Sequence, residues 1–229
     1  MDANAVSIQD EAAASREFPI SKQELDRAFD ARFPASIAEA LRNARVAIAG
    51  LGGLGSNIAV MLARSGVGQL FLVDFDTVDT TNLNRQAYGI SHLGMPKTQA
   101  IRKILADINP YLDIRTEQVR VTEENAAKLF SDWPILCEAF DKPDQTSMLI
   151  STVLAQCPAT TMVSGNGMAG YAEANGIRTE QRLERLYVCG DQSTDVGNGI
   201  GLMAPRVAVC AGHEANTVVR LILRQAGIL

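Results

Sequence analysis

The sequence has no long hydrophobic run, no run of basic residues, and few cysteines or histidines. A membrane-spanning helix needs about 20 consecutive apolar residues, and no stretch approaches that length. Residues 1–20 also lack the basic start and the apolar core of a secretory signal. The formal net charge is −5, so nucleic-acid binding is not favoured. We therefore expect a cytoplasmic protein that binds neither membranes nor nucleic acid.

The scarcity of thiols and imidazoles excludes most zinc and disulfide chemistry. Four cysteines are present, and no two of them lie within three residues of each other. That spacing indicates neither a disulfide framework nor a zinc site, so no zinc is expected. The two histidines, His92 and His213, are isolated in the sequence, and we assign neither of them a role.

A glycine-rich turn follows the first apolar run of the chain. Residues 46–49 have the pattern of a buried strand, and residues 57–64 have that of a helix. Between them the glycines keep the G-x-G-x-x-G spacing, which lets phosphate oxygens approach backbone N–H groups at the positive end of a helix. The residues of this turn that we expect to bind a nucleotide are Gly50, Gly52, Gly53, Gly55 and Ser56. Ordinary strand–turn–helix units also use glycine, so the turn alone does not establish the function.

Acidic residues follow the second apolar strand, 69–73. Asp74 lies about 20 positions beyond the glycine turn, where a carboxylate can accept hydrogen bonds from ribose hydroxyls. Asp76 follows shortly after it and is a second candidate for contact with the nucleotide. A dinucleotide dehydrogenase and an ATP-dependent enzyme would both use a carboxylate at this place.

Polar side chains crowd the segment just beyond the predicted ribose position. An enzyme that handles a triphosphate needs hydrogen-bond donors and cations for the phosphate charges, whereas a dehydrogenase needs no such cluster. Pro96 fits the first turn of a helix, which would place Lys97 near the positive end of that helix. The candidate phosphate-binding residues of this segment are Asn82, Asn84, Arg85, Gln86 and Lys97.

Alternating strand and helix patterns predict the fold class. We expect an α/β, Rossmann-like fold with a mostly parallel sheet, helices on both faces and a C-terminal antiparallel portion. A strand at 134–138 would bring Asp141 to the carboxyl edge of the sheet, where ligands bind. Residues 1–20 are expected to form a flexible N-terminal arm, and residues 21–229 a single ATP-binding domain.

Several motifs occur in a recognisable order. They are Gly-Leu-Gly-Gly-Leu-Gly-Ser, Asp-Phe-Asp-x-Val, Asn-Leu-Asn-Arg-Gln and Gly-x-Pro-Lys, followed by Glu-Ala-Phe-Asp at 138–141 and by the segments 164–171, 186–191 and 201–206. Together they resemble the ubiquitin-activating-enzyme superfamily of adenylyltransferases. Within it they are most similar to the short bacterial ThiF type, which acts on the thiamine sulfur carrier ThiS. The resemblance covers roughly residues 20–226.

The resemblance implies ATP- and Mg²⁺-dependent adenylylation of the C-terminal Gly-Gly carboxylate of a small β-grasp sulfur carrier, with release of pyrophosphate. By resemblance, Arg85 and Lys97 stabilise the phosphate charge, and Asp141 holds Mg²⁺. The carrier tail would lie beside residues 165–170. The resemblance also implies a homodimer in which an N-terminal arginine, Arg27 or Arg32, reaches the triphosphate bound by the partner subunit.

Three other functions remain compatible with the sequence. One is the activation of a different carrier, of the molybdopterin-synthase type, or the role of a tRNA-modifying relative. Another is an NAD-binding Rossmann oxidoreductase, although the cluster of Arg85 and Lys97 speaks against it. A third is a scaffold subunit that binds a carrier without activating it. Such subunits typically lose the arginine, lysine or aspartate, and this chain has all three. Whether Cys189 takes part in sulfur transfer is left open by the sequence.

Overall fold

The computed structural model describes residues 19–195, 197 and 199–229. The predicted N-terminal arm therefore lies, up to residue 18, outside the described residues. The helices are α1 (Lys22–Asp30), α2 (Ala35–Arg42), α3 (Gly53–Arg64), α4 (Lys97–Ala106), α5 (Glu123–Phe130), α6 (Pro143–Gln156) and α7 (Ala204–Gln225). The strands are β1 (Arg45–Ala49), β2 (Gln69–Val73), β3 (Asp113–Glu117), β4 (Ile135–Glu138), β5 (Thr161–Gly165), β6 (Arg178–Leu183) and β7 (Leu186–Gly190). Within this described part, no helix combines the length and the apolar character needed to cross a membrane.

The strands form one sheet with the order β3-β2-β1-β4-β5-β7-β6. All neighbouring strands pair in parallel except β6, which runs antiparallel to β7. From β1 the chain first builds the sheet outward through β2 and β3 and then returns to add β4 on the other side. In doubly wound sheets, ligands bind at such a switch point, outside the carboxyl ends of the two central strands. The predicted fold class is confirmed.

Helices cover both faces of the sheet, as the side chains of β1 show. Val46 and Ile48 belong to the core beneath α3, α4 and α7, whereas Ala47 and Ala49 belong to the core beneath α5 and α6. All four side chains are fully buried. Successive residues of a strand point to opposite faces, so a central strand buried on both sides is apolar throughout.

The antiparallel strand β6 is the part of the sheet that the sequence pattern does not indicate. β6 is exposed along its whole length and has the sequence Arg-Thr-Glu-Gln-Arg-Leu, without hydrophobic alternation. Sequence periodicity detects a strand by its buried face, and β6 buries none. The expected antiparallel portion is present, but nothing in the sequence located this strand.

The long helix α7 packs along α3 and carries the apolar stripe of the second half of the chain. Val207, Cys210, Val218 and Ile222 are buried in the same core cluster. Cys189 of β7, whose part in sulfur transfer the sequence leaves open, is also fully buried in this cluster. Burial raises the pKa of the Cys189 thiol to about 12, because the charged thiolate loses its hydration. The thiol of Cys189 is therefore protonated at neutral pH, and a role for it in sulfur transfer stays untested.

Candidate nucleotide-binding site

The glycine turn joins β1 to α3 at the switch point of the sheet. Gly50 has φ +92°, and a Cβ placed there would lie 2.7 Å from the carbonyl oxygen of Ala139, the residue after β4. A Cβ at Gly55 would overlap the carbonyl oxygen of Gly50. Nothing lies within 4 Å of a Cβ built at Gly52. Two of the glycines thus close the turn, while the backbone at Gly52 faces open space that a phosphate can enter.

This difference gives a matched pair of variants. Gly55→Ala should lower the free energy of unfolding by about 2 kcal/mol or more, because the new methyl group collides with backbone that cannot move away. Gly52→Ala should stay folded, since its Cβ meets nothing, but should weaken ATP binding about tenfold or more by filling the phosphate approach. Urea unfolding and equilibrium nucleotide titration measure the two effects. Equal loss of stability in both variants would contradict this description of the turn.

Two side chains of α3 hold the polar segment 82–87 above the turn. The Ser56 hydroxyl donates to the Gly52 carbonyl (2.6 Å) and accepts from the backbone N–H of Ala87 (3.1 Å). Asn57 Nδ2 donates to the carbonyl of Arg85 (3.0 Å). Ser56 is fully buried, so its hydroxyl positions this segment rather than facing the open side of the turn.

Asp74 lies beside the glycine turn at the end of β2. Its Oδ2 accepts a hydrogen bond from the Leu51 N–H (2.6 Å), and its Oδ1 accepts one from the Asp76 N–H (2.7 Å). Burial raises the pKa of Asp74, while the charge of Lys97 and these two N–H donors oppose the shift. The carboxylate is therefore held in one orientation at the place where the sequence pattern predicts a ribose.

Lys97 is the most unusual cation of the site, because only 6% of it is exposed. It begins α4, and its Nζ lies 3.1 Å from Oδ2 of Asp76, whose side chain is 48% exposed. Lysine is almost never buried without a partner, and the positive end of a helix adds to the cost of holding a cation there. A buried lysine at this position is therefore a candidate for binding an anion such as a phosphate.

Arg85 lies over the first turn of α3. Its Cγ is 3.5 Å from the position of a Cβ at Gly53, and its side chain is half-buried. Its Nη1 donates to the carbonyl of Thr81 (3.1 Å) and to Oδ1 of Asn84 (2.7 Å). The guanidinium is thus held at the glycine turn by its own segment.

Of the three amide side chains near Arg85, two form hydrogen bonds within the protein and one has an oxygen without a partner among the described residues. Asn82 Oδ1 accepts from the N–H of Asp79 (3.1 Å), so Asn82 closes its own turn. Asn84 Nδ2 donates to the carbonyl of Leu202 (3.2 Å). Gln86 Oε1 is buried and has no hydrogen-bond partner among the described residues. An unpaired buried acceptor is costly, which suits a side chain that finds its partner when a ligand binds.

Asp141 follows β4 on the other side of the switch point. It is exposed and forms no hydrogen bond or ion pair within the described residues. The helix α6 has Lys142 at its N-cap position without a side-chain cap, so Asp141 is not used as a cap. No group of three metal-ligating side chains occurs in the part of the chain that the structure describes. A single carboxylate suits Mg²⁺, which takes its other ligands from phosphates and water.

The structure does not bring Arg27 and Arg32 to the site of their own chain. Both are exposed; Arg27 lies in α1 and Arg32 follows its end, and α1 packs against loops that precede β2 and β3. Phe29 of α1 lies 3.8 Å from the position of a Cβ at Gly66, and the Tyr111 hydroxyl donates to the carbonyl of Ile20 (2.9 Å). These loops lie at the amino edge of the parallel strands, whereas the glycine turn lies at the carboxyl edge. Any catalytic role of these arginines therefore requires a partner subunit, and that role stays a prediction.

Two buried carboxylates beneath the site are not used by the predicted chemistry. Glu138 accepts from the Phe140 N–H (2.8 Å), the Thr146 hydroxyl (2.9 Å) and the Ser164 hydroxyl (2.6 Å). Glu214 of α7 is fully buried, and its Oε2 has no partner within the described residues. Burial raises the pKa of both groups, and the charge of Glu138 raises the pKa of Glu214 further. Glu214 is the member that holds its proton, since Glu138 has three donors to stabilise its charge.

Glu214 should therefore make the protein less stable as the pH rises. The folded state keeps the proton in a range where the unfolded chain has lost it, so the free energy of unfolding falls above pH 4.5, the ordinary pKa of a glutamate. Glu214→Gln removes this titration and should therefore make the free energy of unfolding fall less between about pH 5 and pH 8 than it does in the wild-type protein. Urea unfolding across this range measures it, with the exposed Glu184→Gln as the control. An unchanged pH slope in Glu214→Gln would contradict the assignment.

The fold is that of a Rossmann-like α/β protein, and doubly wound proteins of this class bind their ligands at the switch point where the glycine turn, Asp74 and Asp141 lie. The profile of the ThiF family matches residues 25–228. The chain is 31% identical to the molybdopterin-synthase adenylyltransferase of Salmonella typhimurium over 191 residues. These residues are 80% of this chain and 75% of that protein. The chain belongs to the ThiF family.

A longer relative agrees with this membership, and solved structures share the fold. The adenylyltransferase and sulfurtransferase UBA4 of Candida glabrata is 40% identical over 129 residues, which are 56% of this chain and 29% of that protein. The E. coli tRNA N6-threonylcarbamoyladenosine dehydratase TcdA in complex with ATP matches with a TM-score of 0.81 at 19% identity, over 92% of this chain and 99% of that chain. E. coli MccB in complex with AMPCPP and MccA matches with a TM-score of 0.66 at 26% identity, over 83% of this chain and 59% of that chain. The chain spans less than a third of the UBA4 protein that it matches.

Proposed function

We propose that this chain is an ATP- and Mg²⁺-dependent adenylyltransferase that activates the C-terminal carboxylate of a small β-grasp carrier ending in Gly-Gly. The observation that carries the proposal is the pair of cations beyond β2, buried Lys97 and half-buried Arg85, with the free carboxylate of Asp141 across the switch point. The names of the curated relatives, which are adenylyltransferases, support the same reaction. We propose that residues 21–229 act as one adenylyltransferase domain and that the reaction takes place in the cytoplasm.

The proposed chemistry needs charge and position rather than a general base. The carrier carboxylate is ionised at neutral pH, so its oxygen attacks the α-phosphorus directly. A new carboxyl–phosphate bond forms as the bond to pyrophosphate breaks, and pyrophosphate takes the electron pair. Arg85 and Lys97 stabilise the negative charge on the phosphates, and the N–H groups around Gly52 hold the phosphate oxygens. Asp74 orients the ribose.

The residues present fit a magnesium ion. The donor at the site is one exposed, unpaired carboxylate, Asp141, and Mg²⁺ is commonly bound through one or two carboxylates together with substrate phosphates. A bound Mg²⁺ would neutralise part of the phosphate charge. Asp141 would hold the ion at the end of β4, opposite the cations at the end of β2.

We propose the thiamine carrier ThiS as the substrate, because the motifs of the second half of the chain resemble the short ThiF type. A carrier of the molybdopterin-synthase type is the second candidate, favoured by the 31% identity to the Salmonella typhimurium enzyme. Carrier-dependent exchange of labelled pyrophosphate into ATP, measured with each purified carrier in turn, separates them. A higher kcat/KM for ThiS supports the first candidate, and a higher kcat/KM for the molybdopterin-synthase carrier replaces it.

A homodimer is part of the proposal, because Arg27 and Arg32 lie at the opposite edge of their own sheet. Mixing an inactive Arg27→Ala, Arg32→Ala double variant with an inactive Asp141→Ala variant should restore about a quarter of the wild-type activity. Half of the randomly mixed dimers are hybrids, and one of the two sites in each hybrid has every group intact. Exchange assays after verified subunit mixing measure it. Activity equal to the sum of the two parents would contradict a role for these arginines in a partner subunit.

A further inference from the structure

Arg206, near the start of α7, is a buried arginine that the proposed chemistry does not use. It is 5% exposed. Its Nε donates to the carbonyl of Ala169 (3.1 Å), and its Nη1 donates to the carbonyls of Ala172 (2.7 Å) and Glu173 (2.8 Å). Its Nη2 forms an ion pair with Oδ2 of Asp191. One planar guanidinium thus fixes the backbone at 169–173, the end of the run of small residues, to α7.

Asp191, which follows β7, is the ion-pair partner of Arg206 and forms further hydrogen bonds with the backbone around it. Its Oδ1 accepts from the N–H groups of Ser193 (2.9 Å) and Thr194 (2.8 Å), and its own N–H donates to the carbonyl of Gly167 (2.9 Å). Burial opposes the ionisation of Asp191, but these N–H donors and Arg206 outweigh burial and lower its pKa to about 2. The ion pair is therefore intact throughout the neutral range.

The segment 169–173, which Arg206 holds, is also connected to the side of the site where phosphates are proposed to bind. The N–H of Gly170 donates to the carbonyl of Gly201 (2.8 Å). The next carbonyl, that of Leu202, accepts from Asn84 Nδ2 (3.2 Å), and Asn84 Oδ1 in turn accepts from Arg85 (2.7 Å). Hydrogen bonds, linked through the backbone at 169–170 and at 201–202, thus connect Arg206 to the arginine proposed to bind phosphate.

We propose that the Arg206–Asp191 pair is a positioning device that holds residues 167–173 and residues 199–202 as two walls for the C-terminal tail of the carrier. This inference rests on the proposed function. The run 165–170 has only small side chains apart from Asn166 and Met168, so side chains alone direct a flexible Gly-Gly tail poorly. The backbone itself must be held in place, and a wall fixed before binding lowers the entropy lost when the tail is ordered. Arg206 and Asp191 act through this backbone and are positioning residues rather than catalytic ones.

The test compares Arg206→Met and Asp191→Asn with wild-type in carrier-dependent pyrophosphate exchange. The KM for the carrier should rise about tenfold and kcat should fall as the tail is misplaced, while the KM for ATP should change less than about twofold. Arg206→Lys should be intermediate, because lysine keeps the charge but cannot serve three carbonyls in a planar fork. Amide hydrogen exchange at Gly170, Ser193 and Thr194 should become faster in Asp191→Asn.

Arg185 offers a matched control. It also donates to three backbone carbonyls, those of Cys157 (2.9 Å), Thr160 (2.8 Å) and Leu154 (2.6 Å), but at the amino edge of the sheet. Arg185→Met should lower the stability and leave the KM for the carrier unchanged. If Arg206→Met and Asp191→Asn behave like Arg185→Met, with normal carrier kinetics while folded, the positioning role is overturned. If the wild-type protein shows no exchange with any carrier, the proposed function is overturned, and this inference with it.

Discussion

Replacing Asp141 by alanine should lower carrier-dependent pyrophosphate exchange by at least about a hundredfold while leaving the protein folded. The side chain is exposed after the end of β4 and forms no hydrogen bond or ion pair within the described residues, so its removal costs no internal contact. The lost carboxylate would be the protein's ligand for Mg²⁺ at the phosphates, and a metal that stabilises charge in the transition state contributes several kcal/mol. The exchange rate at saturating ATP, together with the urea unfolding midpoint, measures both parts of the prediction.

Asp144→Ala is the control for this variant. Asp144 is an exposed carboxylate in the first turn of α6, three residues after Asp141, and removing it changes the net charge by the same amount. Exchange should remain near wild-type in Asp144→Ala. Near-normal exchange of Asp141→Ala at saturating Mg²⁺ would show that Asp141 does not hold the metal.

Replacing Lys97 by methionine should reduce kcat by about a hundredfold and change the affinity for ATP much less. If Lys97 lies next to the phosphates as proposed, this buried cation acts most strongly when negative charge shifts during the reaction, because little water screens it. The variant should fold, since the partner left behind, Asp76, has a half-exposed side chain that water can solvate. Steady-state kinetics with ATP varied at a saturating carrier concentration measure the two constants.

Lys103→Met is the control for the loss of a positive charge. Lys103 lies on the same helix, α4, but is exposed, and within the described part of the chain its Nζ has one hydrogen-bond partner, the sulfur of Met95 at 3.7 Å. We expect no change in kcat for this variant. If Lys97→Met raises the KM for ATP and leaves kcat unchanged, Lys97 contacts ATP only in the ground state. The role assigned to it would then be wrong.

Much of the carboxyl edge of the sheet could be predicted from the sequence. Residues 46–49 are apolar because β1 is buried on both faces, and a glycine turn after such a strand has one usual place in a doubly wound sheet. The position of Asp141 followed from the same rule once β4 was recognised. These predictions depend on residues that are close together in the sequence, so the sequence pattern alone was enough to make them.

The contacts that depend on distant parts of the chain could not be predicted in this way. β6 has no buried face, so no periodicity indicated it. The Arg206–Asp191 pair joins residues that the sequence singles out only as parts of motifs, because their partners are backbone carbonyls without a sequence signature. Arg27 and Arg32 were assigned by resemblance alone, and the packing of α1 at the amino edge places them away from the site of their own chain.

Glu214 is a case in which a signal was present. It lies four residues after Cys210 and four before Val218, on the apolar stripe of α7, so helical spacing places its carboxyl group in the core. A charged residue at a core position of a helix indicates a perturbed pKa through the sequence pattern alone. The unpaired oxygen of Glu214, by contrast, depends on how α7 packs under β5, and no spacing in the sequence encodes that contact.

The most direct test of the proposed activity is exchange of labelled pyrophosphate into ATP by the wild-type protein with a carrier that ends in Gly-Gly. We predict exchange that requires Mg²⁺ and the intact carrier and that disappears when the last glycine of the carrier is removed, because the attacking carboxylate is then misplaced. Exchange that does not depend on the carrier terminus, or no exchange with any β-grasp carrier, would contradict the proposal.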